Sequence, residues 1–206
     1  ETLTPIENAN KYFAKYNKLK RTYEAGTRLI AEIKDEIMYL ESIINAIDIA
    51  TTENDLNNIK DELAVTGYIK RSGKSKSKGN THNKPMHYVS SDGFDIYVGK
   101  NNIQNDELTF KFATGGDWWF HAKQMPGSHV IVKTEGKELP DKTFEEAAAL
   151  AAYYSKGRDL EKVEVDYVLK KEVKNPAGAK PGFVVYYTNY SLIAIADISG
   201  IRLISG

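Results

Sequence analysis

Apolar residues return at alternating three- and four-residue steps through the first quarter of the chain: Ala9, Tyr12, Tyr16, Leu19, Tyr23, Gly26, Ile30, Ile33, Ile37, Leu40, Ile44 and Ile47. That period is the seam of a coiled coil and predicts one helix of roughly 40 residues. Thr4-Pro5 followed by Glu7 suits its start, with a capping hydroxyl, a proline in the first turn and an early acid. The early tyrosines and Gly26 make the seam irregular. Thr51-Thr52-Glu53 reads as a turn and a new cap, followed by a short helix with Leu56, Ile59 and Leu63 on one face up to Gly67. This second helix is too short to cover the first. Part of the seam therefore needs another partner, either further chain or a second copy.

From His87 the period changes to two. Strands are expected at 87–91 and 94–99, joined by Asp92-Gly93, a strong hairpin signal. Further strand-like runs fall at 108–112, 117–121 and 128–133. Thr143-Phe144-Glu145-Glu146 has the form of a capping box opening an alanine-rich helix over 145–156, stopped by Gly157. Residues 163–169 alternate cleanly, and 183–190 with 192–198 read as a closing hairpin. The expected class is α+β: a long helical coiled-coil arm, then a compact domain with a mostly antiparallel sheet and one principal helix. The expected division is a helical arm over 1–69, a basic linker over 70–84 and the compact domain over 85–206.

The linker emerges from charge. Across 206 residues the formal net charge is zero, but residues 70–84 (KRSGKSKSKGNTHNK) carry six basic side chains and no acid. Such a composition cannot bury enough apolar surface to order itself. No apolar run approaches the roughly 20 residues that cross a bilayer, so membrane insertion is not expected. The absence of cysteine excludes disulfides and thiolate-bound metals and fits a cytoplasmic origin. A chain that opens on Glu1 rather than Met reads as a fragment of something longer.

Candidate chemistry concentrates in 92–133. Lys100, Asn101, Asn102, Gln104 and Asn105 form a carboxamide-rich loop that could meet base edges and phosphates, or could simply satisfy a turn's own backbone. In a strand over 117–121, Trp118 and Phe120 face one way and Asp117, Trp119 and His121 the other. One set is core, and an aromatic left on the other face could stack on a base; alternation favours Trp119 if Trp118 is the buried one. His121, Lys123, Ser128 and His129 surround a Pro126-Gly127 turn whose backbone N–H groups could hold an anion, or which could be a plain turn. The two histidines with Asp117 are a conceivable metal site, but no ligand-spacing motif supports one. Ser128 beside His129 is not a hydrolase signal, because no nucleophile elbow is present; no catalytic residue and no cofactor are expected. Lys156, Arg158, Lys170, Lys171, Lys174 and Lys180 make a second basic group, suited to nucleic-acid backbones or to solubility alone.

Taken in order, Thr4-Pro5-x-Glu7-Asn8-Ala9, Gly99-Lys100-Asn101-Asn102, Gln104-Asn105, Trp119-x-His121, Pro126-Gly127-Ser128-His129, Glu146-Ala147-Ala148, Val165-Asp166-Tyr167 and Gly178-x-Lys180-Pro181-Gly182 resemble the C-terminal half of the fibronectin-binding protein A, RqcH and nuclear export mediator factor family. The resemblance spans almost the whole chain and identifies the second domain with the RNA-binding module called NFACT-R. It implies a ribosome-associated quality-control role, with an obstructed large ribosomal subunit and tRNA as partners and C-terminal alanine tailing in full-length bacterial proteins. It also implies an alternative, a surface adhesin of a Gram-positive bacterium that binds fibronectin and fibrinogen without a signal peptide. The family's N-terminal tRNA-reading domain and helix-hairpin-helix segment are not expected in this chain, so tailing by it alone is not expected. Self-association through the coiled coil is a further expectation.

Overall fold

The computed structural model describes residues 2–70 and 84–206. The expected basic linker lies, apart from Lys70 and Lys84, outside the described residues. The chain divides into two compact units, Glu1–Tyr39 and Leu40–Gly206.

Helix α1 runs from Pro5 to Ile49 (Pro5–Ile49). Its start has the expected chemistry: Glu7 Oε2 accepts from the Thr4 N–H and hydroxyl at 2.7 Å each, and the Glu7 N–H donates back to Thr4 Oγ1. These bonds hold the Glu7 carboxyl below the usual carboxylate range. Within the first unit the seam residues Tyr12, Tyr16, Leu19, Tyr23, Ile30, Ile33 and Ile37 are exposed.

In the second unit the end of α1 buries Ile43, Ala46 and Ile49, whereas the seam residues Leu40, Ile44 and Ile47 stay exposed. A helix turns about 100° per residue, so the docked stripe is a face adjacent to the heptad seam rather than the seam itself. Helix α2 (Glu53–Val65) follows, with Thr52 and Asp55 in a reciprocal capping box. Of its expected apolar face only Ile59 is fully buried; Leu56 is exposed, and Asp55 and Glu62 are buried instead.

The sheet has seven strands in the order β6-β5-β3-β4-β2-β1-β7, with every recorded pairing antiparallel. They are β1 (Met86–Val89), β2 (Asp95–Val98), β3 (Trp118–Ala122), β4 (Val130–Val132), β5 (Val163–Leu169), β6 (Tyr190–Ala194) and β7 (Arg202–Ser205). Gly93 takes φ 85° in the β1–β2 turn, a conformation that glycine adopts without a Cβ penalty. The last two strands lie at opposite edges yet are joined by residues 195–201 alone. In a flat sheet six spacings would separate them by about 29 Å. Eight Cα steps reach that far only when almost straight, and this connection folds on itself through Asp197 N–H to Ile195 O and Ile201 N–H to Ile198 O. The sheet is therefore curled, and it wraps helix α4 (Asp141–Tyr153) in its concavity. Between them lies the main core, built on Ile96, Val98, Phe120, Val130, Val132, Ala147, Ala151, Val163 and Val165.

The opposite face is covered by helix α3 (Asn102–Glu107) running into a π-helical turn, Leu108–Phe112, over a second core of Leu108, Trp119, Ile131, Val168 and Val173. Three expectations are corrected here. Residues 108–112 are not a strand: the helix opened at Asn101 continues and widens, with Ala113 N–H donating to Leu108 O at 2.8 Å. The Thr143–Glu146 capping box does not form, because α4 begins at Asp141. Thr143 Oγ1 donates instead to Asp92 Oδ2 and Ser90 Oγ, and Glu146 Oε2 accepts from Ser91 N–H, fastening α4 to the β1–β2 turn. The expected closing hairpin does not form, since 183–189 is not a strand: it is held by an isolated bridge between Lys174 and Val185, by Val184 and Tyr186 packing on the second core, and by the Tyr186 hydroxyl donating to Asp166, while only 190–194 pairs in the sheet.

Candidate nucleic-acid interface

The carboxamide loop is densely hydrogen-bonded within the second unit. Asn101 caps α3, its Oδ1 accepting from Gln104 N–H at 2.9 Å, while Gln104 Oε1 accepts from Lys100 N–H at 2.8 Å. Asn102 Nδ2 donates to Ser42 Oγ at 2.8 Å and to Glu62 Oε1 at 2.9 Å, reaching α1 and α2 together. Asn105 Oδ1 accepts from His129 N–H at 3.0 Å. Lys100 Nζ sits 3.3 Å from Asp55 Oδ1. All five side chains are buried. The glycine in front of them is required by the same packing, since a Cβ at Gly99 would run into the Asn105 side chain. The signature Gly99-Lys100-Asn101-Asn102 thus clamps the helical pair 40–65 onto the sheet, and its polar groups point inward.

The tryptophans divide as alternation requires, but both faces are covered. Trp118 is half-buried on the α4 side against Phe144, Tyr167 and Tyr190. Trp119, the residue expected to reach a partner, is completely buried against His121, His129 and Tyr186. It is not available for stacking on a base. Its fate follows from α3 and the π-helical turn, which roof the face that alternation left open.

His129 is buried with Nδ1 2.8 Å from Thr109 Oγ1, and burial drives its basicity well below that of a free imidazole. His121 is half-buried, and desolvation pushes its pKa down to about 4. Asp117 lies apart from both, paired with Lys133 and accepting from Thr114 and Thr134 N–H. Among the described residues no group of three or more His, Asp or Glu side chains could hold a metal. At the Pro126-Gly127-Ser128 turn the Ser128 N–H donates to Tyr154 O at 3.0 Å instead of facing an anion, and Pro126 O accepts from Lys156 N–H at 2.9 Å. Ser128 is buried.

Lys123 Nζ lies 2.6 Å from Glu164 Oε1 and 3.7 Å from Asp166 Oδ1, so its charge is locally balanced; the Glu164 hydrogen bond raises its pKa. Asp166 itself is buried and accepts from Tyr186 and Ser191 hydroxyls. Lys156 is exposed and reaches Glu41 at 2.6 Å. Arg158 lies over the Tyr153 ring at 4.7 Å and donates from Nε to Tyr153 O. Lys170 lies 5.7 Å from the Phe110 ring centroid, and Lys171 and Lys174 are exposed. Of the fifteen expected contact residues, Lys156, Lys171 and Lys174 are exposed, and Arg158, Lys170, Lys123 and His121 are half-buried.

Sequence reasoning passed over a second surface. Phe112, exposed at the end of the π-helical turn, meets Tyr97 edge-on at 4.7 Å, and Tyr97 stacks on His87 at 4.5 Å and 7°. The signal was hidden because 108–112 reads as a strand.

Residues 1–82 match the family described as NFACT N-terminal and middle domains, and residues 84–187 match the NFACT protein RNA binding domain. The protein named Rqc2 homolog RqcH in Streptococcus suis is 46% identical over 185 residues, covering 89% of this chain and 33% of the relative. The protein of the same name in Bacillus subtilis is 39% identical over 196 residues, covering 94% and 34%. The chain thus spans about a third of the length of the curated relatives it matches. A solved structure, the C-terminal part of the fibronectin/fibrinogen-binding protein of Streptococcus suis, superimposes with a TM-score of 0.85 at 43% identity, covering 97% of this chain and 79% of that one.

Proposed function

This chain belongs to the NFACT family, and on that premise we propose that it is a non-catalytic RNA-binding portion of a ribosome-associated quality-control factor. Its partners are an obstructed large ribosomal subunit and tRNA, and C-terminal alanine tailing is the work of the complete protein. The observation that carries the reading is the match of residues 84–187 to an RNA-binding domain. The exposed Lys156, Lys171 and Lys174 and the half-buried Arg158 and Lys170 support it. Lys156, Arg158, Lys170, Lys171 and Lys174 meet phosphates, where each neutralised phosphate releases counterions and makes affinity salt-dependent. The buried Lys100, Asn101, Asn102, Gln104, Asn105 and His129 contribute by holding the surface in shape.

The test is binding of the chain to tRNA and to purified large subunits at two salt concentrations. Native chain binds more weakly as salt rises, and Lys170→Glu, Lys171→Glu and Lys174→Glu together reduce affinity at least tenfold. No binding to either RNA at low salt would sink the reading.

A second reading rests on the similar solved structure, whose protein is described as binding fibronectin and fibrinogen. Saturable binding of the same chain to both immobilised proteins supports an adhesin role; no binding above a serum-albumin control removes it.

A further inference from the structure

The sheet face turned away from α4 is only partly roofed. Strand register places His87 opposite Tyr97, Tyr97 opposite Ile131, and Ile131 opposite Trp119, so one row of side chains crosses β1, β2, β4 and β3 on a single face. Its Trp119 and Ile131 end is sealed by the π-helical turn. Its His87 and Tyr97 end is not, and both rings remain half-exposed. Phe112 stands at the boundary, 44% exposed, with its ring against the edge of this uncovered stack.

The cations around it are set by the same register. Lys133 Nζ lies 5.0 Å from the Phe112 ring centroid while pairing with the buried Asp117. Lys111, exposed on the turn itself, reaches Glu107 at 3.2 Å. The neighbouring row carries Arg202 opposite Val89 and Val89 opposite Asp95, whose carboxylate is 2.7 Å from His87 Nε2. Positive and negative groups nearly balance, so long-range attraction is not what this patch supplies. What it supplies is an exposed ring, pre-oriented by an aromatic neighbour, on a rigid sheet face with cations within reach of a backbone. That is the combination which takes an unpaired base by stacking and its phosphate by a lysine or arginine.

We propose that Phe112, supported by Tyr97 and His87, with Lys133 against its ring and Lys111 beside it on the turn, is a stacking site for an unpaired RNA base. This rests on the RNA-binding reading above and adds a site to it, separate from the basic group at 156–174.

The test uses the 206-residue chain and a fluorescent single-stranded RNA oligonucleotide, with an abasic oligonucleotide of equal length as the second probe. Phe112→Ala and Phe112→Leu each weaken binding of the base-bearing RNA about tenfold, the size of one lost stacking contact. Phe112→Trp retains or tightens it. Binding of the abasic probe, and the salt dependence with either probe, stay unchanged. The leucine variant keeps an apolar side chain over Tyr97, so a loss there is not a packing defect, and equal melting temperatures check this. Native-like binding by the alanine and leucine variants overturns the stacking site while leaving RNA binding intact. Failure of the native chain to bind RNA overturns both.

Discussion

Lys100 Nζ lies 3.3 Å from Asp55 Oδ1 with both side chains almost out of solvent, 6% and 2% exposed, so a lysine from the β2–α3 loop is neutralised inside the fold by the capping acid of α2. Asp55 is committed twice over, since its Oδ2 also accepts from the Thr51 and Thr52 N–H groups. Lys100 is thereby a bolt between α2 and the sheet rather than a free surface cation.

Removing one member of that pair leaves the other charge stranded. Lys100→Met is expected to cost about 3 kcal/mol of stability. Lys100→Met with Asp55→Asn should recover part of it, because no buried charge then remains unmatched. Urea unfolding followed by tryptophan fluorescence reads this directly, as Trp118 and Trp119 both lie on β3. Equal stability of native chain and Lys100→Met would mean the pair is not formed.

Gly99 is held against the Asn105 side chain, where no Cβ fits. Gly99→Ala is expected to cost about 2 kcal/mol, the scale of overpacking in a close-packed interior. The same urea midpoint measures it, with Gly136→Ala as a comparison for a glycine with open space around it but φ 79°.

Stability should vary with pH in two opposed ways. His121, lowered from 6.5 to about 4, and His129, lowered well below 6.5, are neutral in the fold and take up protons more readily when unfolded. The His121 contribution is present above about 6.5 and is lost as pH falls through about 4, and that of His129 is likewise lost toward acid pH. Asp106 is raised from 3.8 to about 6 by burial. Its contribution is present below 3.8 and is lost as pH rises through about 6. Asp106→Asn keeps an acceptor for the Gly182 N–H that Asp106 Oδ1 now holds at 3.1 Å. The variant should therefore be more stable than native above pH 6 and close to native near pH 4, as measured by urea midpoints across that range.

Exposed and buried members of the expected RNA set should separate cleanly. Lys171→Ala and Lys174→Ala are expected to leave stability within about 0.5 kcal/mol and to lower the salt slope of RNA binding by about one each. Asn101→Ala, by removing the cap of α3, is expected to cost about 1 kcal/mol of stability and to leave the salt slope alone. Paired melting and salt-titration experiments distinguish the two classes.

The local elements were largely legible because their signals are local. Thr4, Pro5 and Glu7 start α1 where the capping pattern places it, and Asp92-Gly93 turns β1 into β2. Val163–Leu169 is a strand from its alternation alone. Residues 108–112 were not legible, because the sequence Leu-Thr-Phe-Lys-Phe alternates like a strand while the helix capped by Asn101 runs on into it. Thr143 and Glu146 misled for a related reason: a capping box and a pair of long-range hydrogen bonds to the β1–β2 turn use the same side chains.

Periodicity by itself determined the long helix and the α+β class, since each depends on neighbours along the chain. Which polar residues face water depends on neighbours across the fold, and there the tertiary structure decided against the sequence pattern. The carboxamide loop is rich in hydrogen-bonding groups because 40–65 packs on it and its buried amides must be satisfied from Ser42, Glu62 and each other. Trp119 is hidden because a π-helical turn roofs its face, and Phe112 is exposed because that roof ends one strand short of Tyr97 and His87.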